Sequence, residues 1–82
     1  MTDFEITRLC AEALLPNVWA HGEWNPLHDD AQAMALVKKF QLAVAYLSPW
    51  YVSCSPYQVH ADDLNRAICE CVARMQQSKH PT

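Results

Sequence analysis

The residues of this chain that could do chemistry are four thiols, a scatter of imidazoles and two pairs of adjacent carboxylates. The thiols are Cys10, Cys54, Cys69 and Cys71, and the carboxylate pairs are Asp29-Asp30 and Asp62-Asp63. Nucleophilic catalysis needs a thiol or hydroxyl beside a base that a third group orients. Cys54 with His60 and Asp62 or Asp63 is the grouping to consider, and no nucleophile signature surrounds Cys54. A structural metal site needs converging nitrogen and sulfur ligands at short spacings. Cys10, Cys54, His21, His28 and His60 lack those spacings, and Cys69 and Cys71, two apart on a helix, point to different sides. The aspartate pairs sit where helices begin. There the helix dipole holds a carboxylate ionised, which suits capping and disfavours a general acid. These residues predict a protein that is not an enzyme and that holds neither a metal nor a cofactor.

Recognition chemistry is better represented. The segment "NVWAHGEWNPLHDD", residues 17 to 30, carries Trp19, His21, Trp24 and His28 on one long loop, with Glu23 and Asp30 as nearby acids. Aromatics on a long loop are common anchors for protein partners. The same segment also has a local reading. Asn25-Pro26 makes a turn, Leu27 plugs the core, and Asp29 caps the helix that follows. Both readings can hold together. Trp50, Tyr51 and Tyr57 form a second aromatic group, on short strands.

Composition narrows the classes. The chain has 82 residues, enough for one domain of modest core. Its net charge is −3, and its six lysines and arginines are dispersed, so nucleic acid is an unpromising partner. Gly22 is the sole glycine, which rules out a glycine-rich phosphate loop. No stretch is apolar enough to span a membrane. Asp3 and Glu5 stand where a signal peptide would carry lysines. The thiols are accordingly expected to be reduced, in a cytoplasmic protein.

The elements that must position these residues follow from periodicity and caps. Thr2 with Glu5 is a capping-box pattern, and Ile6, Leu9, Cys10, Ala13 and Leu14 give a helix over 2–14 one apolar face. A second helix is expected from Asp29, with Gln32 completing a capping box and Ala33, Leu36, Val37 and Phe40 as its stripe. Residues 42–47 are ambiguous. Val44 and Leu47 would extend the helical stripe, while "LAVAY" also suits a strand; the preferred reading ends the helix near Phe40 or Gln41 and starts a strand that runs from about Leu42 to Tyr46. "WYVSC", residues 50–54, alternates as a half-buried strand, and Tyr57 to His60 is a candidate third. Asp62 to Gln77 reads as a helix, with Leu64, Ile68, Cys71, Val72 and Met75 on one face and a frayed tail over 78–82. The whole predicts a single α+β domain: three helices covering a two- or three-stranded antiparallel sheet.

"WNPLHDDAQAMALVKKF" at 24–40 and "DDLNRAICECVARMQ" at 62–76 resemble the phage ABA-sandwich domain family, which includes NinX-like proteins of phages and prophages. The resemblance runs from about Ile6 to Gln76, with Asn25-Pro26-Leu27 and "NRAIC" as its most specific parts. It implies a helix–sheet–helix sandwich and action inside a bacterial host, and it brings no catalytic residues. The expected function is that of a non-catalytic phage accessory protein binding a host protein, for example as an anti-restriction or anti-CRISPR inhibitor. The partner surface expected for it comprises Trp19, Glu23, Trp24, Asp30, Trp50, Tyr51 and Tyr57. The alternatives are a binder that sequesters a small ligand or nucleotide, and a structural dimeric module in phage regulation. A homodimer that covers an open sheet edge or face is expected under any of them.

Overall fold

A computed structural model describes residues 2–14, 24–46, 49–54 and 56–79. Helix α1 spans Asp3–Leu14 and α2 spans Asp30–Phe40. Three strands follow, β1 (Ala43–Tyr46), β2 (Trp50–Cys54) and β3 (Tyr57–Ala61), and helix α3 (Leu64–Lys79) closes the described chain. The strands form one antiparallel sheet in the order β1-β2-β3. This is the expected α+β, helix–sheet–helix arrangement, with three strands.

Each helix starts where a side chain satisfies the free amides of its first turn. Thr2 Oγ1 accepts from the Glu5 amide at 3.1 Å, and Glu5 Oε1 reaches back to the Thr2 amide, a complete capping box. Asp29 Oδ1 accepts from the Gln32 amide at 3.0 Å. The return half of that second box does not form. Gln32 is buried, and its Oε1 accepts from the Asn25 amide instead. Helix α3 begins at Leu64, two residues after the expected Asp62, because Asp63 is the residue whose carboxylate takes the Arg66 amide, at 2.9 Å. It continues through Ser78 to Lys79, past the expected end at Gln77; residues 80–82 lie outside the described residues.

The ambiguity at 42–47 ends at one residue. Gln41 adopts φ 53° and ψ 50°, the left-handed conformation, and its amide bonds back to the Val37 carbonyl. A left-handed residue cannot continue a right-handed helix, so α2 stops at Phe40 and the chain leaves as β1. Leu47 lies outside the described residues.

Helix α3 is the hub, packed against α1, α2, β2 and β3. The sequence assigned it one apolar face, yet Ala67, Ile68, Cys69, Cys71, Val72 and Ala73 are all essentially without solvent contact. Small residues make this workable, since Ala and Cys let neighbouring elements approach closely while remaining apolar. Cys69 and Cys71 do point to different sides. Cys10 Sγ of α1 lies 3.3 Å from the Cys69 carbonyl, and Cys71 Sγ lies 4.0 Å from the Tyr57 carbonyl of β3. On the sheet, Val52 pairs with Val59, and both are buried in this core.

Candidate functional site

The segment Trp24 to Asp30 is built as structure. Pro26 and Leu27 are buried, and the His28 amide closes a turn onto the Asn25 carbonyl at 3.1 Å. Trp24 is half-buried against the core, and its indole Nε1 donates to the Thr7 carbonyl of α1 at 3.1 Å. The indole thus ties the loop to the first helix. Trp19, His21 and Glu23 lie outside the described residues.

Asp30 and Trp50 are brought together. They line a concavity of about 350 Å³ with Met34 of α2, Asp62 and Asp63 of the β3–α3 junction, and Leu64, Asn65 and Ile68 of α3. Asp30 is placed by the first turn of α2, where its carboxylate accepts from Asn65 Nδ2 at 2.8 Å. Trp50 is placed by pairing with Ala61 on one side and Tyr46 on the other. Its ring meets that of Tyr46 edge to face, with centroids 4.8 Å apart. Ile68 forms a buried floor and Met34 an exposed wall.

The charge of this concavity is decided by comparing two opposed effects. The N-termini of α2 and α3 both converge on it, and together they supply about one unit of positive partial charge. Against this stand three carboxylates, Asp30, Asp62 and Asp63, with no lysine or arginine among the described lining residues. The site is therefore net anionic, with an aromatic and aliphatic floor. Such a site suits a cationic group carried on an apolar stem, which can meet carboxylates and an indole at once.

Tyr51 and Tyr57 are placed elsewhere. Tyr51 lies against His60, its cross-strand partner, with ring centroids 4.9 Å apart on the face of the sheet away from Val52. Tyr57 is half-buried and packs against the core. The sequence reading missed Met34, Asp62 and Leu64 as companions of Trp50. The doublet Asp62-Asp63 was visible, but its closeness to Trp50 depends on the β2–β3 register, which no local pattern records.

The thiols are arranged for packing. Hydrogen bonding to Cys69 and burial push the Cys10 thiol far up, so it stays protonated. Burial, with Cys54 close by, also pushes up Cys71. Reactive cysteines show the opposite, a lowered value in an electropositive setting. Among the described residues no group of three histidine, cysteine or acidic side chains could hold a metal ion, and no helix is long and apolar enough to cross a membrane. Neither a family model, nor a curated protein, nor a solved structure matches this chain.

Proposed function

We propose that this protein is a non-catalytic binding module that takes a basic, partly apolar segment of a host protein into the anionic concavity between α2, Trp50 and the start of α3. The observation that carries this reading is the meeting of an apolar lining, Trp50 with Ile68 and Met34, and the carboxylates Asp30, Asp62 and Asp63. A lysine or arginine presented by a partner would find both its stem and its charge accommodated there. The resemblance to phage ABA-sandwich proteins supplies the context in this proposal: a phage or prophage accessory protein occupying a surface of a bacterial protein, in the manner of a counter-defence inhibitor.

The size of the concavity supports a second reading, since small-ligand sites begin at about 300 Å³. The lining would then select a cationic ligand, such as an amine with an aromatic or aliphatic body. A nucleotide is disfavoured, because phosphate recognition relies on arginine and lysine forks that this lining lacks.

The test is affinity capture from bacterial lysate, quantified by mass spectrometry, with Asp62→Lys and Met34→Lys beside the unaltered chain. Asp62 takes no part in the helix cap and Met34 is exposed, so neither change removes folded-state packing of consequence. A protein lost with both variants and retained by Glu12→Gln, an α1 residue paired with Arg8 and outside the lining, supports the reading. A captured set indifferent to both variants overturns it. If nothing is captured while a cationic amine raises the melting temperature, the small-ligand reading takes its place.

A further inference from the structure

We propose that the edge of β1 is a self-association surface, through which two copies of this chain pair antiparallel about a two-fold axis into a continuous six-stranded sheet. This inference is independent of what the anionic concavity binds.

Among the described residues β1 is a terminal strand, so one side of its backbone has no partner within the sheet they form. Natural edge strands are usually guarded by lysine, proline or an inward charge. Residues 43–46 read Ala-Val-Ala-Tyr and carry none of these. The opposite edge differs, since β3 presents the polar Gln58 and His60 as its exposed residues. Val44 and Tyr46 pair with Val52 and Trp50, so they belong to the core-facing side of the sheet. Yet they are 38% and 65% exposed, because α3 lies over β2 and β3 and β1 projects beyond it. Through Tyr46 and Trp50 this apolar strip is continuous with exposed Met34.

Charge identifies the occupant as a second copy. Lys38 and Lys39 lie in the last turn of α2, five and four residues before β1 begins, and neither is ion-paired among the described residues. At the other end, Tyr46 adjoins Trp50, which lines the concavity with Asp30, Asp62 and Asp63. One end of the strand is thus basic and the other acidic. Antiparallel pairing of two copies sets the basic end of each beside the acidic end of its partner. Between the ends no charge opposes its own image, although each chain is net negative.

Strand geometry also limits the register. Directly opposed residues in an antiparallel pair lie on the same face. A two-fold axis normal to the sheet keeps core faces on one side, so even-numbered residues must oppose even-numbered ones. Some residue of β1 therefore faces its own copy. Centring on Ala45 sets Val44 opposite the partner's Tyr46 twice over, the aromatic–β-branched pairing that sheets favour.

The test is sedimentation equilibrium of the full chain from about 1 to 300 µM, the range in which a small interface of this kind associates. A monomer–dimer equilibrium is expected, weakened at least tenfold by Tyr46→Lys with an unchanged circular dichroism spectrum, and weakened by added salt. In the dimer, Ala45→Cys should be linked to its own copy by a short bismaleimide, and Ala43→Cys and the unaltered chain should not. A chain that is monomeric throughout overturns the proposal. So does a dimer indifferent to Tyr46→Lys, or one in which Ala43→Cys links as readily as Ala45→Cys.

Discussion

The indole of Trp24 and the carbonyl of Thr7, seventeen positions apart in the chain, are joined by a 3.1 Å hydrogen bond that fastens the loop before α2 to the middle of α1. A tryptophan on a polar loop suggests a partner anchor; this one is half-buried with its donor aimed inward. Trp24→Phe keeps most of the ring and deletes the donor, so it should cost about 0.5–1.5 kcal/mol. Trp24→Ala, which also removes the packed ring, should cost about 2–4 kcal/mol. Urea unfolding monitored by circular dichroism measures both. Capture of a partner, corrected for the folded fraction, should be unchanged in Trp24→Phe.

The two aspartate doublets divide their labour, and capping assays can read the division. Asp29 and Asp63 accept the cap amides, whereas Asp30 bonds to Asn65 and, among the described residues, Asp62 takes no backbone amide. Asp29→Ala and Asp63→Ala should each destabilise the fold by about 1 kcal/mol. Asp62→Ala should fall within about 0.5 kcal/mol of the unaltered chain. Equal losses at Asp62 and Asp63 would show that charge at the helix dipole, and not the hydrogen bond, sets the effect.

Gln41 holds a left-handed conformation that glycine adopts without steric cost. Gln41→Gly should therefore raise stability by about 0.5–1 kcal/mol, and Gln41→Val should lower it by at least as much. For a domain of this size, 1 kcal/mol moves the melting temperature by about 4–8 °C, within easy reach of calorimetry.

The raised thiols fix the sign of a pH dependence. Cys10 and Cys71 keep their protons in the folded chain at pH values where an unfolded thiol, ordinarily at 9.0, has lost its own. Their contribution to stability is complete below pH 9. Above it the unfolded state gains by ionising and stability falls, with a limiting slope of about 1.4 kcal/mol per pH unit for a thiol that stays fully protonated in the fold. Comparing Cys10→Ala with the unaltered chain in melts at pH 8 and pH 10 should show a shallower decline in the variant. In the native state at pH 8, an alkylating reagent should reach half-buried Cys54 well before buried Cys10, Cys69 and Cys71.

What the sequence by itself determined is local. Thr2 with Glu5 marks the first helix, Asp29 marks the second, the alternation of "WYVSC" marks β2, and in each case the residues that decide the structure lie within a few positions of one another. The strand over 42–46 was legible only as a preference, because Val44 also fits a helical stripe, and the left-handed Gln41 decides for the strand. Nor was the burial of α3 on several sides legible, since Ala67, Cys69 and Ala73 are neutral in a pattern and acquire meaning only when α1, α2 and the sheet close around them. The candidate site stands on the same footing. Its members come from α2, β2 and the start of α3, and the antiparallel pairing of Trp50 with Ala61 delivers the indole beside Asp62. Hydrogen bonding along the chain is encoded by neighbours, whereas pairing across the sheet is chosen by which faces can be buried together.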